Sequence, residues 1–253
     1  MNELVSVIMP SYNTGKFIAD SIKSVLSQTY ENLELIIVDD NSCDSTDAIV
    51  ASFSDERIRF FKNETNCGAA VSRNIALKQA RGRYVAFLDS DDIWAVDKLE
   101  KQIAFMQKNG YAFTYTEYSE MDENSNLNGV VVSGPKKITR QGMYNFCWPG
   151  CLTVMYDAKV IGLLQIADIK KNNDYALWLS AIEKSNCYLL KENLAFYRKR
   201  AGSISSHSYF KLIKWHYKLY REAFGRSAVT SALFTVNNLF FGVIKKLFYK
   251  KRA

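Results

Sequence analysis

The chain has 253 residues, 48% of them hydrophobic and only three of them proline, which allows one substantial core and excludes a disordered or fibrous chain. Its net charge of +7 is concentrated at one end: residues 208–253 hold ten Lys/Arg against one acid, Glu222, and leave the body near neutral. Five cysteines, an odd number with no CxxC spacing, argue against a disulfide framework or a zinc ribbon and for reduced thiols in a cytoplasmic setting.

MNELVSVIMP carries an acid at its third position and enters a strand directly, unlike a signal peptide. The apolar run Leu4 to Met9 is ended by Pro10 and the turn cluster Ser11-Tyr12-Asn13-Thr14-Gly15. Ile18, Ile22, Val25 and Leu26 then share one helical face, with Thr14 as an N-cap. Leu33 to Val38 is a buried-type strand that stops in Asp39-Asp40-Asn41. Asp44 or Ser45 opens a second helix through Ile49, Val50 and Phe53, followed by a short strand from Arg57 to Phe61. After the turn Asn66-Cys67-Gly68, a third helix runs from Ala69 to Ala80, with Arg81-Gly82 as its C-cap. Tyr84 to Leu88 is the next strand. Strands and helices alternating with crossovers of helical length predict an α/β fold, a Rossmann-like, mostly parallel sheet flanked by helices.

That fourth strand stops abruptly in Asp89, Asp91 and Asp92, spaced only by Ser90. Carboxylates so close repel one another, and a hard divalent cation or a helix-capping turn would each relieve them. In open parallel sheets ligands bind beyond the carboxyl ends of the strands. Three strand ends in succession are polar or acidic there, a convergence that favours a metal site over a simple turn. No glycine-rich phosphate loop follows the first strand, so a dinucleotide fold or P-loop enzyme is disfavoured and phosphates need a cation and nearby Arg or Lys such as Arg73.

Further on, a helix carrying Leu99, Ile103, Phe105 and Met106 leads to a strand from Tyr111 to Tyr118, and residues 122–142 read as hairpin or loop. Trp148, in a loop between Cys147 and Cys151, either offers a ring to a sugar or fills core. Asn173-Asp174 precede a helix from Tyr175 to Ser185, and Asp174 in its first turn is favoured as a carboxylate by the helix dipole. Ala228 to Ile244 is apolar but interrupted by Asn237, Asn238 and Gly242, then followed by a Lys/Arg cluster. It is marginal for a bilayer span and reads as an interfacial helix on an anionic leaflet, or as a helix packed on protein.

Taken together, VSVIMPSYN, ELIIVDDNSCDST, NCGAAVSRNIALKQARGRYVAFLDSDDIW and DYALWL resemble glycosyltransferase family 2, most closely across residues 4–107. The resemblance implies a GT-A fold and transfer of a sugar, with inversion, from a nucleotide diphospho-sugar. It assigns Pro10, Tyr12, Asp39, Asp40, Arg73, Asp89, Ser90, Asp91 and Arg198 to the nucleotide sugar, with Tyr12 flanking a uracil and Asp40 bonding it. Asp89 and Asp91 become the ligands of Mn²⁺ or Mg²⁺, and Asp174 the catalytic base. Trp148, Asp92 and Asn173 fall to the acceptor side; the family usually has Glu where this chain has Asn173. Arg200 and His207 are further candidates to cover the diphosphate.

The implied division is a catalytic unit over residues 1–207, with a nucleotide-sugar half (1–107) and an acceptor half (108–207), and a basic helical tail over 208–253. The implied partners are a UDP-sugar, a lipid-linked oligosaccharide and an anionic membrane surface at the inner face of the cell membrane, with no nucleic acid; oligomeric state stays open. A sugar-phosphate nucleotidylyltransferase and a non-catalytic nucleotide- or glycan-binding module are the competing classes.

Overall fold

The computed structural model describes residues 3–167, 169, 171–200 and 209–252. The first half alternates as expected: β1 (Val5–Ser11), α1 (Ile18–Leu26), β2 (Leu33–Asp39), α2 (Thr46–Ala51), β3 (Ile58–Lys62), α3 (Ala69–Gln79) and β4 (Tyr84–Phe87). After the acidic turn come β5 (Ile93–Trp94), α4 (Lys98–Asn109), β6 (Phe113–Met121), β7 (Leu127–Val132), β8 (Lys137–Ile138) and α5 (Arg140–Asn145). The chain continues through β9 (Met155–Asp157), α6 (Ala158–Ile161), α7 (Asn173–Ile182), β10 (Cys187–Arg198), α8 (Tyr209–Lys218), α9 (Ala228–Phe248) and β11 (Lys250–Arg252).

All of these strands join one sheet, whose main path runs β11-β7-β6-β9-β4-β1-β2-β3, with β10 alongside β5, β6 and β8. The block β4-β1-β2-β3 is parallel; beyond β4, only the β6–β10 pair is parallel among the described residues. Alternation along β1 and β2 separates two cores. Val5, Val7, Met9, Leu35 and Ile37 face α1 and α4, while Ile8, Ile36 and Val38 face α3 and α7. Ile18, Ile22 and Val25 of α1 are fully buried, each contributing about 1.5–3 kcal/mol.

The chain leaves β1 toward β2 on one side and returns to β4 on the other, so a crevice opens beyond the carboxyl ends of β1 and β4. Register aligns the rim: Ser11 lies opposite Asp39, and Ile8 opposite Phe87, two residues before Asp89. Pro10 stands past the last β1–β4 rung, where a residue without an N–H is tolerated.

Several local expectations change. Thr14 is no side-chain cap for α1; its hydroxyl donates to Ser90 Oγ at 3.0 Å, tying the first strand end to the acidic turn. Gly82 lies beyond the end of α3 and lets the chain press on β1, since a Cβ there would meet Ser6 N at 2.6 Å and Leu4 O at 2.7 Å. The 122–142 stretch, by contrast, contains the expected hairpin, with β7 paired antiparallel with β6. β10, which sequence patterning does not single out, runs for 12 residues.

The basic C-terminal stretch is built into the body. Phe234, Phe241 and Ile244 of α9 pack against the α3/α7-side core, and β11 adds a strand to β7. Asn237 donates to Asn145 Oδ1 at 3.0 Å, and Lys245 to the Trp148 carbonyl at 2.7 Å. On the opposite face Val229, Leu233, Val236, Phe240, Val243 and Leu247 form an exposed stripe. α9 is long and apolar enough to cross a bilayer, but its inner side, with Ser231, Thr235 and Asn238 buried, is fastened to the protein.

Candidate active site

Each wall of the crevice comes from a strand end or helix start. Tyr12 follows β1 with 47% of its surface exposed, an open ring at the rim. Asn13 and Asn41, in the turns after β1 and β2, and Asn172, before α7, have φ of 50°, 61° and 57°. Left-handed backbone is uncommon for non-glycine residues and concentrates at functional turns. Asn13 Oδ1 accepts the Cys43 N–H at 3.0 Å, and its own N–H donates to Ser42 Oγ at 2.8 Å, locking the first two loops together.

Asp39 and Asp40 are both buried. Asp39 accepts from the Ser42 N–H and hydroxyl at 2.8 and 2.5 Å. Asp40 accepts from Asn63 Nδ2 at 2.7 Å and from the backbone N–H groups of Cys67 and Gly68 at 2.9 and 2.7 Å. This brace fixes the approach to α3 and thereby aims Arg73.

Arg73 is the junction of the site. Its guanidinium donates to Asp89 Oδ1 and to Asn173 Oδ1, so the end of β4 and the start of α7 meet through one side chain. Burial opposes its charge, but the anionic surroundings, Asp89 first and then Cys151 and Asp174, together outweigh it and raise its pKa. Its Nε is buried without a hydrogen-bond partner among the described residues. Asn173 therefore supplies a neutral acceptor for Arg73.

The acids are crowded. Burial pushes the Asp91 carboxyl up, Asp89 adds to it, and Arg200, donating to Asp91 Oδ2 at 2.7 Å, opposes it. Asp174 is also pushed up, first by burial and secondarily by Asp89, against Arg73 and the Tyr175 N–H donated at 2.8 Å. A carboxyl held above its usual range can take a proton, as a general base must.

Among the described residues no three His, Cys, Asp or Glu side chains converge as a self-sufficient metal site. Asp89 and Asp91 nevertheless suit a hard divalent cation. Both offer only oxygen donors, their repulsion asks for positive charge, and Mg²⁺-type ions are commonly held by one or two carboxylates with substrate phosphates completing the shell.

Three expected ligand contacts are taken up by architecture. Arg198 is 1% exposed: its Nε donates to the Asp91 carbonyl at 2.8 Å and its Nη1 to Ser125 Oγ at 2.8 Å, with Phe17 against its guanidinium. It braces the acidic turn from below, and Arg200 is the arginine presented to Asp91. Asp92 is buried and accepts the Arg198 backbone N–H at 2.9 Å, which docks β10 under the turn and keeps Asp92 from an acceptor. Trp148 packs edge-on against Phe146, Phe241 and Tyr249, so its ring fills core and offers no platform for a sugar. His207 lies outside the described residues. Sequence reading underweighted Arg200, whose only signal was its place two residues after Arg198.

A family model described as glycosyl transferase family 2 matches residues 6–149. WfgD of Escherichia coli, named as a UDP-Glc:α-D-GlcNAc-diphosphoundecaprenol β-1,3-glucosyltransferase, is 41% identical over 254 residues, spanning 99% of this chain and 98% of that protein. TuaG of Bacillus subtilis (strain 168), whose name assigns it to teichuronic acid biosynthesis, is 45% identical over 222 residues, 87% of this chain and 88% of that protein. Among solved structures, Staphylococcus aureus TarS 1–349 in complex with UDP-GlcNAc aligns with a TM-score of 0.70 at 22% identity, covering 93% of this chain and 71% of that one. The mannosyltransferase PcManGT of Pyrobaculum calidifontis, in complex with GDP-Man and Mn²⁺, aligns at 0.65 with 16% identity, covering 93% and 69%. At such identities the structural likeness is one of fold.

Proposed function

The chain belongs to glycosyltransferase family 2, and from that premise we propose that it transfers one hexose from a UDP-sugar to a lipid-linked oligosaccharide, with inversion, during assembly of a cell-surface polysaccharide. Glucose and galactose are the favoured sugars, and the UDP-Glc in the WfgD name supports glucose. The same name, with its sugar diphosphoundecaprenol, supports a lipid-linked acceptor.

The observation that carries the reading is the Arg73 bridge, which joins the Asp89–Asp91 turn to the helix bearing Asp174. Tyr12 provides the exposed ring for the base of the nucleotide. Arg73 and Arg200 set positive charge beside the two metal-binding carboxylates, where a diphosphate would lie. Asp174 takes the proton of the acceptor hydroxyl as that oxygen bonds to the anomeric carbon, while the carbon–oxygen bond to UDP breaks on the opposite face and UDP leaves with the electron pair. A single displacement turns an α-linked donor into a β-linked product. Mn²⁺ or Mg²⁺, held by Asp89 and Asp91 when bound, would supply charge neutralisation for the departing diphosphate.

We further read the outer stripe of α9 as the membrane contact. Its residues recur every three or four positions along one face, and Lys246, Lys251 and Arg252 lie at its C-terminal end. On this reading the enzyme works from the cytoplasm, on the inner face of the membrane that carries its acceptor. The deciding experiment incubates the enzyme with Mn²⁺, a panel of UDP-sugars and a short sugar-diphospho-lipid, and measures UDP release. UDP release that needs both one UDP-sugar and the lipid acceptor is expected; no release with any pairing overturns the reading.

A further inference from the structure

A second hollow lies beside this site, between α8, the flank of α9, and strands β6 and β7. Its volume is about 360 Å³, within the range of small-molecule sites. Lys245, Lys246 and Lys250 line it together with the apolar side chains of Phe146, Leu239 and Val243. One carboxylate, Glu120, is on the wall, and it is already engaged by Lys199 at 2.6 Å and Lys250 at 2.8 Å. His216 adds no charge at neutral pH, because burial lowers its pKa to about 4. The wall is therefore cationic overall.

Lys245 is the telling member. It is in no ion pair among the described residues, and its ammonium donates to a neutral carbonyl, that of Trp148. Burial pulls its pKa down to about 8, the signature of a charge short of compensation. An anion in the hollow would compensate it, and the apolar wall would accept a hydrocarbon attached to that anion.

Position ties the hollow to the reaction. His216 Nδ1 is 3.3 Å from Asn172 Nδ2, two residues before Asp174. The Cys147 thiol, raised first by its burial, is pushed up by Asp174 of one site and down by Lys245 of the other. At the other end Val243 belongs both to the wall and to the exposed stripe of α9, so the hollow meets the proposed membrane face.

We propose that this hollow holds the diphosphate of the acceptor lipid against Lys245, Lys246 and Lys250, with the first part of its hydrocarbon chain passing over Phe146, Leu239 and Val243 toward the bilayer. The proposal rests on the reading of the acceptor as lipid-linked. It assigns acceptor recognition to α9 and leaves the nucleotide crevice to the donor.

The test is calorimetric binding of farnesyl diphosphate to the full chain, with UDP and Mn²⁺ saturating so that the probe is kept from the nucleotide crevice. Farnesyl diphosphate should bind at least about tenfold more tightly than farnesol or inorganic diphosphate, because head and chain are both recognised. The double variant Lys246→Gln/Lys250→Gln should weaken binding about tenfold or more, and Leu239→Trp, which fills the hollow, should do the same without removing a charge. Asp174→Asn should bind the probe as the parent does. Equal binding by the parent and both hollow variants, or no binding by the parent, overturns the assignment. Kinetics separate it from the reading it rests on. If sugar is transferred to a lipid acceptor but these variants leave the acceptor KM unchanged, the hollow falls and the activity stands. If the probe binds as described while no lipid acceptor is glycosylated, the activity falls and the hollow stands.

Discussion

Asp174→Asn separates catalysis from folding most cleanly. The amide keeps the carboxylate's shape, and its Oδ1 can still accept the Tyr175 N–H that Asp174 accepts at 2.8 Å. What disappears is a base able to receive the acceptor proton, worth roughly 10²–10⁴ in turnover, or about 2.7–5.4 kcal/mol of barrier. Stability should move the other way. Burial, followed by the Asp89 charge, raises the folded-state pKa of Asp174 above its ordinary 3.8. An acid with a raised folded pKa holds its proton more tightly in the native state, so its contribution to stability falls as pH rises from the unfolded value through the folded one. At neutral pH the ionised Asp174 is a cost that Asn lifts, and the variant should melt no lower than the parent. The same shift places the acid limb of the parent's rate profile above the usual carboxylate range, because the proton must be off for Asp174 to act; the residual rate of the variant should lack that limb. UDP-release kinetics across pH, alongside thermal melts and UDP titration, check all three. A variant rate within tenfold of the parent, or a parent acid limb near pH 3.8, would refute the assignment.

Asp91→Ala should abolish Mn²⁺-dependent UDP binding while Mn²⁺-independent binding persists; calorimetry with and without the ion reads this, and an unchanged Mn²⁺ effect removes Asp91 from the metal. Leu233→Asp with Phe240→Asp changes two side chains that are each 60% exposed, so the fold should hold while co-sedimentation with phosphatidylglycerol vesicles is lost; persistent pelleting moves the membrane contact elsewhere. Deleting residues 228–253 would be a poorer probe, because it strips Phe234, Phe241 and β11 from the body. Lys98 is fully buried, with Nζ donating to Gln102 Oε1 at 2.7 Å and lying 4.2 Å from the Trp94 ring centroid. Burial lowers its pKa from 10.5 to about 7, so the unfolded chain binds a proton that the native one releases, and stability rises with pH between those values. Lys98→Met should therefore stabilise most below the folded pKa, by about 1–2 kcal/mol once the orphaned Gln102 oxygen and the lost cation–π contact are set against the relieved burial. Melts at about pH 6 and about pH 9 should show the gain shrinking as pH rises, and a constant gain would mean the charge plays no part.

The nucleotide half was legible because its chemistry repeats at strand ends. Apolar runs that stop in Pro10-Ser11, Asp39-Asp40 and Asp89-Ser90-Asp91 state both the strand and its functional end, and the β1–β2 and β1–β4 registers bring those ends together. Local pattern failed where partners are distant in sequence. Cys187–Arg198 mixes Lys191, Glu192 and Asn193 among its apolar residues, and it becomes a strand because β6 offers it a parallel edge. The family resemblance sets Arg198 beside the nucleotide sugar; its backbone and guanidinium are instead occupied by Asp92 and the Asp91 carbonyl, contacts more than a hundred residues back. Composition marked α9 as apolar and basic, but could not say which face the body would claim. The body claims the face with Phe234, Phe241 and Ile244, together with Ser231, Thr235 and Asn238, and leaves Leu233, Val236 and Phe240 outside, so the helix is apolar on both sides.

Charge balance at the crevice explains why donor and cation should arrive together. Asp89 and Asp91 each hold one arginine, Arg73 and Arg200, which offsets part of their mutual repulsion. UDP alone would bring a diphosphate against carboxylates that Asp91, pushed up by burial and by Asp89, shows to be crowded. A divalent cation alone would compete with two arginines for the same oxygens. Were Mn²⁺ or Mg²⁺ to arrive with the diphosphate, the two would offset each other: Asp89 and Asp91 would hold the cation, and the guanidinium groups of Arg73 and Arg200 would become available to the phosphate oxygens. Because Arg73 also holds Asn173, a shift of its guanidinium toward phosphate bears directly on the start of α7, one residue from Asp174. Asp174 would then feel two opposed changes. Arg73 turned toward phosphate would release the influence that now holds its carboxyl down, while a cation on Asp89 would cancel the charge that now helps push it up. The base would become a stronger proton acceptor only as far as the first exceeds the second.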